Sequence, residues 1–471
     1  MKKIIMLFVL MLSLFIYGCS EATKERLTAP TDFAVVDNVI NFTEIEGAKH
    51  KAVITNKETN KVYNRVVSDG TSVETLSLGI GVFEIYLEIT LNNETAVTEV
   101  ITFVIEDTNA VQQVNGEEMM YSEYVKLIGR TYVKDETTVM ISHSGSGLTV
   151  KFKGTNLKVD LTATNSSNAW KRPYVSIIID ADYDNPIIQG VNSKSIDGFV
   201  LAENLEYGEH EVTFIKRSEA LDSFIGIKNV YTDGKLLPRE DKERFIEILG
   251  DSTIAGYGNE TKLVGSKYED KTSGNSNVMK TFAYLTAREF DADYSIVCAS
   301  GWGLTGSEWT IPKTVNLLET YKRYYSTYSE SKQQHIYSDD YYNFSEGRKA
   351  DVMIISVGTN DLYYIEAGYN ESKSVGDQRK QDFIDKYKEL LEFITSMYDG
   401  VQIFMVYGAM GEIRMYPTVE AAYNNVKDSM NNVHLVKLNG DQKAIDYHPS
   451  AKGHEEMSEV LIAEVKKVMN W

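Results

Sequence analysis

The chain is poor in cysteine, in proline and in positive charge. Two cysteines in 471 residues, Cys19 and Cys298, exclude a disulfide framework, so stability has to come from packed cores. There are seven prolines, no internal repeat and no low-complexity segment, which excludes repeat and linker-like architectures. Basic residues number 48 against 68 acidic ones, giving a formal net charge of −20 spread along the chain. That balance excludes nucleic acid and disfavours an anionic polymer as partner; a neutral substrate is expected. What is present is 43% hydrophobic residues, enough to exclude wholesale disorder, in a length that suits two to four domains. Tyrosine is abundant, at 30 residues, which suits sugar stacking and equally suits the core of a β-sandwich.

The one long apolar run is at the start. MKKIIMLFVLMLSLFIYGCS has two lysines, an apolar stretch, then small and polar residues, the pattern of a secretory signal. Its end, Ile16-Tyr17-Gly18-Cys19, resembles a bacterial lipobox. The implied arrangement is a lipoprotein signal peptide over 1–18, lipidation at Cys19 and a polar tether over 19–29. The expected product is an exported bacterial lipoprotein held at a membrane or cell surface; plain secretion is the alternative. With Cys19 acylated, Cys298 in the run YSIVCAS is a lone, buried thiol.

Two all-β blocks follow. Residues 30–108 carry strand patterns such as KAVITN, GVFEIYLEITL and TEVITFVIE, and predict a small β-sandwich whose opening resembles fibronectin type III modules. Residues 112–238 carry TVMISHS, GLTVKFKG, LKVDLTAT, YVSIIIDA and HEVTFIKRS, and predict a β jelly roll with a hairpin around Gly208. From 241 to 471 five apolar runs, FIEILG, YSIVCAS, DVMIISVG, VQIFMVYG and VHLVKLN, alternate with helical patterns. Phe383, Tyr387, Leu390, Leu391 and Ile394 mark one helix face, and Ser450 is placed to cap the last helix. The fold class expected is multidomain, ending in a three-layer α/β/α domain on a five-stranded parallel sheet.

Ligands of open α/β sheets bind beyond the carboxyl ends of the strands. The first run is followed there by Gly250-Asp251-Ser252, the second by Ser300-Gly301-Trp302-Gly303, the third by Gly358-Thr359-Asn360-Asp361 and the fifth by a loop with His448. A nucleophile, a base, an amide and glycine N–H groups therefore converge, the parts needed for acyl transfer. Each has a bland counterpart alone: a helix N-cap at Ser252, a loop histidine at His448, a turn brace at Asn360. Their order at successive strand ends favours the joint reading. His448, His454, Glu455 and Glu456 match no strong metal-ligand spacing, so neither metal nor cofactor is expected.

These four blocks resemble the SGNH (GDSL) hydrolases. GRTYV, SGSGLTVKFKGTNLKVDL, GEHEVTFIKRSEA, IEILGDSTIAGYGNE, ASGWG, VGTND and DYHPSAKGHEEM narrow the resemblance to carbohydrate esterase family 2 over residues 115–471. The resemblance implies a jelly roll joined to an SGNH-hydrolase domain that removes acetyl groups from plant polysaccharides. It implies Ser252 as nucleophile, His448 as base, and an oxyanion hole from the Ser252 and Gly301 N–H groups and the Asn360 amide, with Gly303 as the alternative glycine. Ile445 occupies the position three before the histidine where many SGNH enzymes carry aspartate. Asp446, two before, is the candidate orienter of His448; the resemblance also implies, as the alternative, a Ser–His dyad with a backbone carbonyl behind the imidazole. Trp302 and Tyr363 are candidate substrate contacts, with Tyr257 and Tyr364 weaker ones. The resemblance implies an acetyl group on the primary 6-hydroxyl of hexose units in a mannan, glucomannan or glucan, with acetylated xylan as a further substrate. A non-catalytic carbohydrate-binding surface lipoprotein and a lipase or thioesterase of the same fold are the alternatives.

Overall fold

The computed structural model describes residues 26–471 apart from 37, 58, 79–80, 106–110, 165–167, 169 and 330–331. The signal-peptide segment and Cys19 lie outside the described residues, as does most of the tether. The chain divides into two compact units, Met1–Ala110 and Val111–Trp471.

In the first unit the strand Gly81–Leu91 is central. Its alternation sends Phe83, Ile85, Leu87 and Ile89 inward, and all four are buried. It pairs antiparallel with Lys49–Asn56 on one side and with Glu94–Val97 and Ile101–Ile105 on the other. A smaller antiparallel sheet of Ala34–Val36, Val39–Asn41 and Thr71–Ser72 brings in Ile40 and, from the segment after it, Phe42. Burying each of these large side chains contributes roughly 1.5–3 kcal/mol, which lets a disulfide-free sandwich close.

The second unit opens with two antiparallel sheets packed face to face. One runs in the order Val125–Ile128, Gly147–Gly154, Gly208–Lys216, Tyr174–Ile179, Ile187–Gly190. The other runs Thr131–Asp135, Thr138–Ile141, Ile225–Thr232, Leu157–Ala163, Ser195–Ala202. Phe152, Leu161, Phe214 and Ile227 meet between them. The hairpin expected around Gly208 does not form. Ser195–Ala202 and Gly208–Lys216 belong to opposite sheets, and the turn between them carries the chain across the sandwich. Register to Gly147–Gly154, with Gly208 opposite Gly154, replaces the local pairing.

The α/β part has five parallel strands: β1 (Phe245–Gly250), β2 (Asp293–Cys298), β3 (Val352–Ser356), β4 (Gln402–Tyr407) and β5 (Val433–Lys437), in the order β2-β1-β3-β4-β5. Helices cover both faces. Lys373–Met397 buries Phe383, Tyr387, Leu390, Leu391 and Ile394 as its spacing predicts. Ala451–Met469 is capped by the Ser450 side chain, which accepts from the Gly453 N–H. Cys298 is buried in β2, and burial pushes its thiol well above the usual range.

One buried charge pair joins the sandwich to this sheet. Arg130 donates to Glu247, in the middle of β1, at 3.0 Å, and both side chains are buried. Glu247 also accepts from the hydroxyls of Tyr321 at 2.7 Å and Tyr398 at 2.6 Å, and the guanidinium lies over the Tyr342 ring at 4.3 Å. Removing one partner of such a pair leaves a buried uncompensated charge. Arg130→Met should therefore lower stability by about 3–5 kcal/mol in equilibrium denaturation of the full chain, whereas breaking an exposed, solvent-screened pair such as Lys373–Asp377 should leave the midpoint unchanged.

Candidate active site

The strand order changes direction at β1 and β3, and their register is what assembles the site. Gly250 lies level with Cys298 of β2 and with Ser356 of β3, so the residues after these strands emerge at one edge. A side chain at 250 would meet Ile254 at 2.3 Å and the Ser356 carbonyl at 2.8 Å, so the tight exit from β1 requires glycine. Asp251 then caps the short helix Ser252–Ala255, accepting from the Thr253 N–H at 3.0 Å, and Ser252 becomes its first residue. The bland expectation of a capped turn thus holds for Asp251, while the Ser252 hydroxyl is left free of the cap and meets His448. Burial raises the Asp251 carboxyl to about 6.

His448 reaches Ser252 from the loop after β5. Its Nε2 is 2.8 Å from Ser252 Oγ, and its Nδ1 is 3.1 Å from the Ile445 carbonyl. A carbonyl only accepts, so Nδ1 carries the proton and Nε2 presents a lone pair to the serine. Burial drives the imidazole down to about 4, against the carbonyl and the nearby Asp446 charge, which raise it. The Asp446 side chain makes no hydrogen bond to the imidazole. Its carboxylate turns away and accepts from Tyr257 OH at 3.3 Å, and the Ile445 carbonyl stands behind the imidazole instead. The cause is backbone: Asp446 and Tyr447 have φ of 52° and 60°, a left-handed bend of two non-glycine residues that aims the preceding carbonyl at His448. Tyr257 stacks on the imidazole with ring centroids 4.5 Å apart and holds the ring plane. His454 stands apart, buried, its Nδ1 accepting from the Phe282 N–H at 3.3 Å.

The N–H groups of Ser252 and Gly301 find no acceptor among the described residues. Gly301 has φ +77°, a conformation that glycine adopts without strain. Asn360 opens the helix Thr359–Glu371 after β3. Its amide donates to the Trp302 carbonyl at 3.0 Å and, more loosely, to Asp251 at 3.3 Å. The Ser252 and Gly301 backbone donors and the Asn360 amide thus come together at the strand ends. Gly303 lies deeper: a side chain there would meet the Gly306 carbonyl at 2.0 Å.

The candidate substrate contacts need a correction. Trp302 is 1% exposed and packs edge-on against Tyr337 at 5.1 Å, so it belongs to the core and offers no sugar platform. The exposed tryptophan of this loop is Trp309, at 65% exposure, which lies outside every motif that the sequence offers. Its Cβ lies 3.6 Å from where a Gly301 side chain would be, and its ring meets Tyr363, 37% exposed, edge-on at 5.8 Å. Asp361 sets this loop, accepting from the N–H groups of Leu304 at 2.9 Å and Thr305 at 2.8 Å. Tyr364 is half-buried against Gly306 and under Arg379 and supports the same loop. Tyr447, one residue before His448, is 75% exposed, and Trp170 of the sandwich stands edge-on to Tyr257 at 6.4 Å.

Comparison with known proteins agrees with this architecture. Residues 127–239 match the model of the carbohydrate esterase 2 N-terminal domain, and residues 246–461 match that of the GDSL-like lipase/acylhydrolase family. The chain is similar to the cellulase/esterase CelE of Acetivibrio thermocellus, 28% identical over 73% of this chain; the match spans only 39% of CelE's length. It is 22% identical to an acetylxylan esterase/glucomannan deacetylase of Cellvibrio japonicus, over 74% of this chain and 90% of that protein. Among solved structures, a family two carbohydrate esterase from Clostridium thermocellum in complex with cellohexaose superposes with a TM-score of 0.60 at 26% identity, covering 74% of this chain and 99% of that one. With a jelly-roll module and a GDSL module in tandem and esterases of that same build as its relatives, the chain belongs to carbohydrate esterase family 2, a family of carboxylic ester hydrolases.

Proposed function

We propose that the protein removes O-acetyl groups from a neutral plant polysaccharide through a Ser252–His448 dyad. The observation that carries the reading is the 2.8 Å contact of His448 Nε2 with Ser252 Oγ, backed by the Ile445 carbonyl. Ser252 Oγ attacks the acetyl carbonyl while its proton passes to His448 Nε2. The oxyanion is held by the N–H groups of Ser252 and Gly301 and by the Asn360 amide; losing one such donor raises the barrier by about 3 kcal/mol. The sugar hydroxyl leaves with the proton from His448. A water then loses its proton to the imidazole and attacks the acetyl-enzyme; the bond to Ser252 Oγ breaks as His448 returns that proton to it, and acetate is freed. Acetylated glucomannan, mannan or xylan is the substrate class, with the acetyl group on the primary 6-hydroxyl where the chain is built of hexoses. The names of the similar enzymes, the net charge of −20 and the exposed Trp309–Tyr363 pair support a neutral sugar chain. Export as a lipoprotein anchored through Cys19 goes with that role, supported by the composition of residues 1–20.

The first test is acetate release from acetylated glucomannan and acetylated xylan. Wild type should release acetate and Ser252→Ala should lose about 10⁴-fold or more of the activity. No release, with 4-nitrophenyl acetate also untouched, would leave glycan binding as the function, and a preference for long acyl esters would make the enzyme a lipase.

The pH profile tests the dyad. The base works when neutral, so kcat/KM should rise with pH through the His448 midpoint, about 4, and stay level above it rather than fall off near the ordinary histidine value. Asp446→Asn should keep the plateau within about threefold, because its carboxylate binds Tyr257 and not the imidazole; a loss near 10⁴-fold would make it a true triad member.

For the anchor, Cys19→Ala expressed in a bacterial host should abolish labelling by radioactive palmitate and move the protein from the membrane to the soluble fraction.

A further inference from the structure

The turn after β2 carries four consecutive backbone N–H groups, and three of them are tied down. Ala299 donates to the Gly250 carbonyl at 3.2 Å and Trp302 donates to the Ala299 carbonyl at 3.2 Å. Ser300 donates to a carboxyl oxygen of Glu219 at 2.7 Å. The remaining N–H is that of Gly301. Glu219 does not belong to the α/β part. It lies in the sandwich, in the loop after the strand Gly208–Lys216, 81 residues away in sequence, and it is buried.

That loop is unusually fixed. The buried Lys216 ammonium donates to the carbonyls of Ser142 at 2.9 Å and Glu219 at 3.0 Å, and to that of Ser218. The Glu219 carbonyl also accepts from the N–H groups of Asp222 and Ser223, both at 3.2 Å. Asp222 binds Lys271 with both carboxylate oxygens, at 2.6 and 2.7 Å, and Lys271 lies 5.2 Å from the centre of the Tyr257 ring that stacks on His448. One short loop of the sandwich thus touches the supports of both the glycine turn and the histidine.

We propose that Glu219 is a positioning residue for ester hydrolysis: by accepting the Ser300 N–H it fixes the turn so that the next N–H, that of Gly301, faces the oxyanion. The inference rests on the Ser252–His448 reading above. The physical need is clear, since a glycine at φ +77° has many alternative conformations, and an oxyanion donor works only when it is preorganised. Burial and the neighbouring Asp222 raise the Glu219 carboxyl to about 7. Charged or neutral, its oxygen accepts an N–H, so the role does not depend on its ionisation.

Steady-state hydrolysis of 4-nitrophenyl acetate by the full chain tests this with three variants. Glu219→Gln keeps an acceptor oxygen of the same reach and should retain kcat within about threefold. Glu219→Ala and Glu219→Met remove the acceptor and should lose about 10- to 100-fold in kcat with KM within twofold, the methionine filling the same space should the alanine variant fail to fold. Wild-type kcat in Glu219→Met, or a Glu219→Gln loss as deep as that of Glu219→Met, would overturn the proposal. Ser252→Ala, run alongside, separates the two readings: if it stays active, the dyad itself is wrong, whatever Glu219 does.

Discussion

The hydrogen-bond register of the parallel sheet is the constraint on which the site depends. Pairing Gly250 with Cys298 and with Ser356 brings three strand ends to the same height. Pairing Ser356 with Val406, and Tyr407 with Lys437, extends that edge to β4 and β5. Residues far apart in sequence then need only short turns to meet: Ser252 two residues beyond β1, Gly301 three beyond β2, Asn360 four beyond β3. A slip of one residue in any strand would reverse its side chains and move its turn, so the apolar patterning that fixes the register also fixes the chemistry.

The sandwich that precedes this sheet shares its charges with it. Arg130 meets Glu247 inside β1, Arg217 meets Glu260 beyond Ser252, Lys126 meets Asp293 at the start of β2, and Glu219 meets the turn after β2. Burying such groups carries a desolvation cost, recovered only when donors and acceptors meet with good geometry. A purely apolar contact would tolerate sliding; these paired groups do not. The sandwich is therefore held in one orientation against the sheet edge that carries Ser252, where Trp170 also joins the aromatic surround of His448 through Tyr257.

Around the dyad, aromatic side chains divide by depth. Trp302 packs into the core, while Trp309, eight residues from Gly301, stands out beside Tyr363. The division follows from Asp361, whose carboxylate gathers the N–H groups of the intervening turn and sends the chain back outward. Apolar packing and an exposed aromatic face arise from the same loop.

Much of this was legible in the sequence because it is local. The period of the five apolar runs announces a parallel sheet, the helix between 373 and 397 declares its buried face, and Ser252, Asn360 and His448 stand in motifs whose order along the chain reflects the strand order. What only the tertiary structure decided are the contacts that depend on backbone direction and on distant segments. The Ile445 carbonyl orients His448 because two non-glycine residues take left-handed conformations that no residue type announces. Glu247 lies hidden in an apolar run because its partner arrives from Arg130, 117 residues away. Trp302 turns into the core and Trp309 stands out because a loop's path is set by the hydrogen bonds it makes and not by its composition. Side-chain periodicity belongs to the sequence; the direction of a carbonyl and the partner of a buried charge belong to the fold.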